Sequence, residues 1–384
     1  MTYFDNAATT YPKPHAVLWE MQKAMIRYGA NPGRGGHEMA LAAAKAVYAA
    51  RAALSDLFDL GAPERVIFTQ NCTQALNMVI KGLARPGGHF ICSNLEHNAV
   101  ARPLEALRRR GVCNWDAAAV GGSDTETLSA FDACFRPETV AVVCTGASNV
   151  FGRVLPLEQL AQLAHSHGVP LVADLAQTAG LLPVSLQKSG IDFACCPGHK
   201  GLYGPMGTGV LLCNSDARLE TLLEGGTGTL SMQLVQPEAY PERLESGTLN
   251  VPGIAGLAAG AAFVRRLGPE TIFAHEMRLA KEIADGLSEM PRVRLYTDFH
   301  NRAQRFVPLV SFNIAGMHSE EVGAALASHG FAVRAGLHCA PLAHRAYGTL
   351  DTGTVRVCPS VFSAEKDVKS LLNCIFQIAK RQGV

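Results

Sequence analysis

The chain has few charged residues and almost no net charge. Only 17% of its 384 residues are Asp, Glu, Lys or Arg, and the formal net charge at pH 7 is +1. A strongly basic surface, with which proteins attract nucleic acid, is therefore excluded, and so is an acidic tail. Because 48% of the residues are hydrophobic, the chain is not an intrinsically disordered one. We expect its partners to be small molecules and further copies of itself, with no nucleic acid among them.

Long apolar runs and export signals are missing as well. The first residues, Met1–Asn6, have neither a cationic start nor an apolar stretch. The apolar helical segments are interrupted by charges such as Lys45 and Arg51 or, like Ile254–Val264, are too short to span a bilayer. The sequence therefore predicts a cytoplasmic protein with no membrane partner.

Cysteine is present without the spacing that disulfide frameworks or zinc sites need. The chain has 11 cysteines but no C-x-x-C pair, and Cys196 and His199 lack a second pair that would complete a zinc site. Cys92, Cys144 and Cys213 lie in apolar, strand-like runs. We expect buried, reduced thiols and no metal ion.

The order of apolar runs and helical patterns predicts two domains. In the first two-thirds of the chain, short apolar runs alternate with helices, which is typical of a mostly parallel sheet covered on both faces. After about Pro252 the pattern changes to long helices with single strand-like runs between them. We place a large α/β domain at residues 15–258 and a smaller α+β domain at residues 1–14 and 259–384. The strand-like runs of the large domain are Val66–Thr69, His89–Ser93, Val140–Thr145, Pro170–Asp174, Ile191–Cys196 and Thr208–Cys213.

Lys200 lies in a turn that is an unusual place for a lysine. It follows the apolar run Ile191–Cys196, which predicts a buried strand, and the turn around it contains Pro197, Gly198 and Gly201. A lysine facing a pocket there would lose hydration, which frees the amine to form a Schiff base with a carbonyl compound. An ordinary loop lysine is the alternative, and this segment alone does not decide between the two.

Other polar residues follow the ends of neighbouring predicted strands, the edge at which ligands gather in such sheets. Asp174 ends one strand and could pair with a protonated pyridine nitrogen, and Gln177 lies three residues further on. His97 follows another strand, where its flat ring could stack on an aromatic cofactor or could simply be a loop histidine. Asn149 follows a third strand, as a turn residue or as a hydrogen-bond donor.

The segment Thr69–Gln74 joins a strand to a helix. The N–H groups and the dipole at a helix start favour phosphate, and the Thr73 hydroxyl adds a donor, although a simple N-cap threonine is the alternative. Taken singly, each of these positions has a plain structural explanation. Together they supply an amine, a carboxylate, a phosphate site and a stacking ring, which are the groups that pyridoxal 5'-phosphate (PLP) requires.

Motifs spread along nearly the whole chain carry a family resemblance. In order they are Asp5–Thr10, Cys72–Gln74, Glu96–His97, Ser148–Val150, Asp174–Gln177, Gly198–Lys200, Glu245–Thr248 and Arg334–Ala340. The sequence resembles class V aminotransferase-fold enzymes and, within them, the cysteine desulfurase and selenocysteine lyase branch, closest to its type II members. The resemblance implies an α/β protein of the PLP-dependent transferase fold type I (aspartate aminotransferase-like), with a mostly parallel, seven-stranded-type sheet and a smaller α+β domain.

The resemblance also implies a role for each residue around the cofactor ring. Lys200 would carry PLP in a Schiff base and later move protons at the substrate Cα. Asp174 would pair with the pyridine nitrogen, and His97 would stack on the ring. Gln177 and Asn149 would face the ring oxygen or nearby atoms.

The phosphate and the substrate have their own implied ligands. Thr73, the backbone amides of Cys72 and Thr73, and His199 would bind the phosphate. Thr248 would reach the phosphate of the other subunit, so that the active unit would be a homodimer. Arg356 would hold the substrate carboxylate with its bidentate fork. Contacts to the substrate or its entrance would also come from Ala8, Asn149, Arg34 and His37.

Cys339 determines the expected reaction. A sulfur-accepting thiolate needs an exposed, mobile and electropositive loop, and here Arg334 and His338 would supply the charge while Ala335 and Gly336 would supply the mobility. A purely structural cysteine is the alternative. We therefore predict a PLP-dependent cysteine desulfurase that converts L-cysteine to L-alanine and carries the sulfur on Cys339 as a persulfide. A protein that accepts the sulfur would be a further partner.

Three alternatives stay open at this point. They are a selenocysteine lyase acting on L-selenocysteine, another class V reaction such as that of an aminotransferase or epimerase, and a non-catalytic binding role. The chain also departs from the family pattern at three positions. Pro197 replaces a hydroxyl residue that binds phosphate, Asn71 replaces a glycine and is expected to tolerate a left-handed backbone, and Leu337 replaces a histidine beside Cys339.

Overall fold

A seven-stranded sheet forms the centre of the structure. The computed structural model describes residues 1–33, 35–300 and 305–381. Among these residues the strands are β1 (Thr2–Tyr3), β2 (Val66–Thr69), β3 (Gly88–Ser93), β4 (Cys113–Ala118), β5 (Thr139–Thr145), β6 (Leu171–Asp174), β7 (Phe193–Pro197), β8 (Gly209–Cys213), β9 (Val293–Leu295), β10 (Val310–Ile314), β11 (Phe331–Ala332), β12 (Arg334–Gly336) and β13 (Thr354–Val357).

Helices cover both faces of this sheet and one face of a smaller one. Among the described residues they are α1 (His15–Arg27), α2 (Glu38–Leu57), α3 (Cys72–Leu83), α4 (Asn98–Arg109), α5 (Asp124–Asp132), α6 (Leu157–Ser166), α7 (Leu186–Ser189), α8 (Val251–Leu267), α9 (Pro269–Ser288), α10 (Ser319–Ser328), α11 (Pro341–Ala346) and α12 (Glu365–Arg381), with a 3-10 turn at Pro63–Arg65.

The sheet order confirms the predicted α/β class. The seven strands lie in the order β2-β8-β7-β6-β5-β3-β4, and every neighbouring pair from β7 to β4 is parallel. Only β8 runs against its neighbours β7 and β2. The carboxyl ends of β3, β5, β6 and β7 therefore meet at one edge, which is where ligands bind in such sheets.

Alternating side chains of the central strands feed two separate cores. On β3, Phe90 and Cys92 pack into the core beneath α3 and α4, whereas Ile91 packs into the core on the other face. On β5, Val143 and Val142 divide in the same way. Because successive side chains of a strand point to opposite faces, strands covered on both sides need continuous apolar runs, which is why the sequence revealed them.

A four-stranded antiparallel sheet, β12-β13-β10-β9, forms the second unit of the fold. Its core joins Phe312 of β10 to Leu279 of α9 and Val368 of α12. The N-terminal strand β1 pairs in parallel with β11, and Phe4 enters the same core. This pairing brings the segment after Phe4 to the edge of the large sheet, next to β13. The predicted domain boundary at residues 258 and 259 falls inside α8 and stays a prediction.

The sequence analysis located no strand at β4. This strand is the outer edge of the large sheet, and its middle residues from Asn114 to Ala117 are partly or fully exposed. An edge strand has no continuous apolar run, so its pattern does not stand out. No helix of the described residues is long and apolar enough to cross a membrane.

Candidate active site

A cavity of about 220 Å³ lies at the carboxyl edge of the large sheet. Ten of the residues predicted to form the site line it, although they come from distant parts of the chain. They are Ala8, Cys72, Thr73, His97, Asn149, Asp174, Gln177, His199, Lys200 and Arg356.

Lys200 lies in the turn after β7, partly buried in the cavity wall. Its backbone carbonyl accepts hydrogen bonds from Tyr203 N at 2.8 Å and from Thr10 Oγ1 at 3.0 Å, which fix the turn. Burial lowers the pKa of the amine, the charge of Arg356 lowers it further, and the charge of Asp174 opposes both. The neutral amine is therefore more accessible than in a solvated lysine.

Asp174 ends β6 with its side chain almost completely buried, 2% exposed. Its Oδ1 accepts hydrogen bonds from Ala176 N at 2.9 Å and from the Cys72 thiol at 3.4 Å. The sequence analysis assigned Cys72 only a backbone role and missed the thiol contact. No local pattern could have found this contact, because the two residues are 102 positions apart.

His97 is the N-cap of α4. Its Nδ1 accepts a hydrogen bond from Ala99 N at 3.0 Å, so this nitrogen carries no proton in that arrangement. Burial is the main cause that lowers the pKa of His97 to about 4, while the charge of Asp174 acts in the opposite direction. The ring is thus neutral near pH 7. The bond from Ala99 N holds it at one edge, and the ring forms one wall of the cavity.

The start of α3 differs from the sequence-based expectation. Asn71, and not Thr73, is the N-cap, and its Oδ1 accepts a hydrogen bond from Gln74 N at 2.9 Å. Thr73 is left exposed at the second helical position. The backbone of Asn71 is extended, with φ −172°, so the left-handed conformation that asparagine was expected to tolerate does not occur here. Asparagine is placed here because it caps the helix.

His199 is fixed through its backbone and leaves its ring free. Its carbonyl accepts hydrogen bonds from Lys13 Nζ at 2.7 Å and from Thr10 N at 3.1 Å. Burial, and then the charges of Lys200 and Lys13, lower the pKa of the imidazole to about 4. Burial also lowers the pKa of Lys13 to about 8. A neutral imidazole binds an anion as a hydrogen-bond donor rather than as a charge.

Arg356 lies on β13, 2% exposed, with both terminal nitrogens fixed by the chain. Nη2 donates to Asp5 Oδ1 at 2.9 Å, and Nη1 donates to the backbone carbonyl of Asn149 at 2.8 Å. A guanidinium has five N–H donors, and these two bonds leave three of them for a ligand. The sequence analysis named Asp5 as part of a motif but assigned it no role.

Asn149 and Gln177 both donate to backbone carbonyls near the cavity. Asn149 Nδ2 bonds to the carbonyl of His338 at 2.8 Å, and Gln177 Nε2 bonds to the carbonyl of Ala7 at 3.1 Å. Both side chains are therefore oriented before any ligand binds. Ala8 completes this wall, and its N–H bonds to the carbonyl of Asp5 at 3.0 Å.

Cys339 lies outside the cavity, and its surroundings differ from the prediction in two ways. Ala335 and Gly336 belong to β12 and pair with β13, so they do not make a mobile loop. His338 is buried, 5% exposed, with Nε2 3.0 Å from the carbonyl of Thr354. Burial lowers its pKa to about 2, so this histidine is neutral and supplies no positive charge.

Two other features hold the Cys339 thiol in an exposed position. His338 and Cys339 both have left-handed backbones, with φ 49° and 55°, which residues other than glycine adopt only when their surroundings impose it. The carbonyl of Cys339 accepts a hydrogen bond from Asn98 N at 2.7 Å, at the start of α4. Cys339 is exposed, as predicted, and so is Arg334.

Besides Cys339, two further predicted residues do not reach the cavity, and one more lies outside the described residues. Thr248 is exposed in a separate groove of about 790 Å³, with its Oγ1 3.4 Å from Asn31 Nδ2. His37 caps α2 through a 3.3 Å bond from Ala40 N. Arg34 lies outside the described residues. Within the described ranges, no three His, Cys, Asp or Glu side chains are grouped so that they could hold a metal ion.

Several polar atoms in the cavity wall are buried without a partner among the described residues. They are Asn149 Oδ1, His199 Nδ1, His338 Nδ1 and Arg356 Nε. Leaving a buried polar atom unpaired costs about 1–3 kcal/mol, so such atoms commonly mark a ligand site. An amine, a carboxylate, a neutral ring and unpaired polar atoms around one cavity match the functional groups of PLP, and these residues therefore fit the cofactor.

The profile of the Aminotransferase class-V family matches residues 2–371. The chain belongs to this family, which confirms the resemblance drawn from its motifs. The relatives described next are named cysteine desulfurases.

One relative, from Methanothermobacter thermautotrophicus, is named a probable cysteine desulfurase and is 33% identical over 98% of this chain and 94% of its own length. A second, from Mycolicibacterium paratuberculosis, has the same name and is 31% identical over 99% of this chain, which spans only 56% of that longer protein. The apo structure of a cysteine desulfurase from Thermococcus onnurineus superimposes with a TM-score of 0.89 and 30% identity, over 99% of this chain and 95% of the other. These likenesses confirm the predicted fold class.

Proposed function

We propose that the protein is a PLP-dependent cysteine desulfurase that converts L-cysteine to L-alanine and carries the sulfur on Cys339 as a persulfide. The observation that carries the proposal is the meeting of Lys200, Asp174, His97 and Arg356 around one cavity, with an exposed cysteine just beyond its edge. The names of the relatives support the same reaction.

The residues of the cavity divide between the parts of the cofactor. Asp174, held by two hydrogen bonds, is the partner for the pyridine nitrogen, and the neutral ring of His97 is the surface for stacking. Thr73 and His199, with the first backbone amides of α3, are the donors for the phosphate. Lys200 is the amine that attaches the aldehyde. When bound, PLP supplies an electron sink for the bonds at the substrate Cα.

Lys200 and Arg356 act on the substrate. The lowered pKa of Lys200 favours its neutral amine, which is the form that can take the proton from Cα. Arg356 has three N–H donors left after its bonds to Asp5 and Asn149, and with them it holds the substrate carboxylate. Because Arg356 is already fixed, little rotamer freedom is lost when the substrate binds.

Cys339 takes the sulfur. A bond forms between its Sγ and the substrate sulfur while the bond from that sulfur to the substrate Cβ breaks. The electron pair of the broken bond stays with Cβ, which takes up a proton and becomes the methyl group of alanine. The nucleophile must be a thiolate. We place the reaction in the cytoplasm, because a free thiol of this kind stays reduced there.

A homodimer is supported by the surface around Thr248. The large groove containing Thr248 also contains Tyr48 of α2, which is 64% exposed. Trp19 and Ile26 on α1 are 63% and 67% exposed. Large apolar side chains exposed in this way are found at interfaces between proteins. In a dimer, Thr248 would be available to the phosphate of the partner's cofactor.

The test is to incubate the protein with L-cysteine and, separately, with L-selenocysteine in the presence of PLP. With a reducing thiol present, we expect alanine from both, together with sulfide or selenide. Without it, we expect alanine and one added sulfur atom on the Cys339 peptide after L-cysteine. In Lys200→Ala, borohydride should no longer fix PLP to the protein. Selenide formation far faster than sulfide formation would favour the selenocysteine lyase alternative, and a keto acid or a D-amino acid as product would favour the other class V reactions.

A further inference from the structure

A second groove, of about 310 Å³, opens on the outer side of the candidate active site. We call it the outer groove; it follows the surfaces of α3 and α4. It shares Thr73, His97 and Ala99 with the cofactor cavity, so the two are continuous. Cys339 lines the outer groove but not the cofactor cavity. The sulfur carrier therefore faces a space outside the cofactor cavity.

The outer groove carries positive charge without compensation. Lys81 of α3 and Arg102 of α4 line it, and no Asp or Glu among the described residues does. The carboxylate nearest in sequence to Arg102 on α4 is Glu105, and it already bonds to Arg108 at 2.8 Å and to Arg109 at 2.9 Å. Neither Lys81 nor Arg102 has an ion-pair partner within the described ranges. Both cations are thus available to an anion.

The lining of the outer groove also fixes the position of Cys339, which would carry the transferred sulfur. Asn98 N holds the carbonyl of Cys339 at 2.7 Å, which ties the residue to the first turn of α4. Arg102 lies one turn further along the same helix. A ligand held by Arg102 and Lys81 would therefore lie beside Cys339. The remaining polar lining, Asn77 and Asn98, can donate hydrogen bonds to carboxylate oxygens.

We propose that the outer groove binds a small thiol bearing a carboxylate, and that this thiol accepts the sulfur from Cys339. The inference rests on the proposed function, and the volume of the groove is that of a small-molecule site. The thiolate of the acceptor attacks the outer sulfur of the Cys339 persulfide. One S–S bond forms as the S–S bond to Cys339 breaks, and Cys339 leaves as a thiolate. The acceptor becomes a persulfide, so no external oxidant or reductant is needed.

The charge selectivity can be measured without any desulfurase turnover. The PLP-loaded protein is treated with dithiodipropionate, bis(hydroxyethyl) disulfide or cystamine, which are anionic, neutral and cationic disulfides, and modification of the Cys339 peptide is followed by mass. Each rate is divided by the rate of the same disulfide with free mercaptoethanol. We expect the anion to exceed the neutral disulfide by roughly tenfold at low salt, and the cation to be slowest. Equal normalised rates would overturn the proposal.

Charge-reversal variants locate the effect. Arg102→Glu and Lys81→Glu should each remove most of the anion preference, and the two together should reverse it. Arg108→Glu is the matched control, because it changes the same charge on the same helix outside the groove. An equal loss of preference in Arg108→Glu would show that only the net charge matters, and the proposal would then be wrong.

A second arm uses the persulfide itself. The protein is loaded with L-cysteine, desalted and mixed with mercaptopropionate, mercaptoethanol or cysteamine, and loss of sulfur from Cys339 is measured. We expect the same order of rates, with the single-turnover yield of alanine unchanged in Arg102→Glu. If no persulfide forms, the proposed function is wrong. The disulfide rates still test whether the outer groove prefers anions. If a persulfide forms but reacts with none of the three thiols, the proposal of a small-molecule acceptor is wrong and a protein acceptor is favoured.

Discussion

The thiol of Cys72 donates a hydrogen bond to Oδ1 of Asp174 over 3.4 Å at the base of the candidate active site. Both residues are buried, and burial together with the charge of Asp174 raises the pKa of the thiol well above its usual value. Cys72 is therefore a neutral S–H donor rather than a thiolate. With the bond from Ala176 N, it fixes the orientation of the carboxylate that we assign to the cofactor nitrogen.

Cys72→Ala should weaken PLP binding while leaving the fold intact. Loss of one hydrogen bond to a charged group costs on the order of 1–2 kcal/mol, which corresponds to a dissociation constant raised roughly 5- to 30-fold. The measurement is titration of the apoprotein with PLP, followed by absorbance. Cys213→Ala is the control, since Cys213 of β8 is a buried thiol of the same hydrophobic core that does not line the cavity. An equal effect in both variants would reduce the role of Cys72 to packing.

The strands around the site could be predicted from sequence because both of their faces are buried. Val66–Thr69 was located with the bounds it has in the structure, and β3, β5, β6 and β8 were located to within one residue at each end. Polar residues at the ends of such strands were expected to converge, and they line one cavity. The edge strand β4 was not found, since its exposed face removes the apolar run.

Contacts between distant segments could not be predicted from local patterns. Asp5 and Arg356 are 351 residues apart, and their segments are brought together by the pairing of β1 with β11 and by the parallel bridge between Asp5 and Cys358. The charge of His338 was misjudged for a similar reason. The fold buries the ring, and this burial lowers its pKa and keeps it neutral, even though the contact with the Thr354 carbonyl acts in the opposite direction. Motif residues can thus be identified before their environment is known.

Cys339→Ser should separate cofactor chemistry from sulfur transfer. Because Cys339 lies outside the cofactor cavity, the variant should bind PLP and L-cysteine with unchanged affinity. It should release no sulfide, since a hydroxyl cannot form the persulfide. Absorbance titrations and a sulfide assay measure the two properties. Cys134→Ser, at a partly buried thiol that bonds to the Ala130 carbonyl, should behave as the wild type. Sulfide release by Cys339→Ser at the wild-type rate would exclude Cys339 as the carrier.

Arg356→Lys should raise KM for L-cysteine by roughly tenfold to a hundredfold, the equivalent of about 1.5–3 kcal/mol for a charged contact. Lysine keeps the charge but loses the planar fork that bonds to Asp5 and Asn149 together. Asp5→Asn keeps the guanidinium and weakens its anchor, so it should raise KM by a smaller factor.

The readouts for these two variants are kcat and KM, together with the thermal midpoint as a test of folding. A change in kcat alone at an unaltered KM would contradict the assignment of Arg356 to the substrate carboxylate. A large fall in the thermal midpoint of Arg356→Lys would leave Asp5→Asn as the variant that decides.

Glu276 should make the folded protein less stable as the pH rises. Its side chain lies in α9, 6% exposed, and Oε1 accepts a hydrogen bond from the Tyr203 hydroxyl at 3.1 Å. Burial raises the pKa of Glu276 to about 8 from a usual value of 4.5, against the opposing effect of the Tyr203 bond. Between these two pH values the folded state holds a proton that the unfolded chain has lost. The stabilisation is therefore complete below the unfolded pKa and is lost as the pH rises through about 8.

Glu276→Gln should remove this pH dependence, because an amide has no proton to lose in this range. The thermal midpoint of the variant, measured relative to the wild type, should rise steadily between about pH 5 and pH 9. The relative measure matters because Glu96, with a pKa also raised by burial to about 8, contributes the same trend to both proteins. Glu289→Gln, at the exposed end of α9, should run parallel to the wild type. A constant difference between Glu276→Gln and the wild type at every pH would show that Glu276 is ionised in the folded protein.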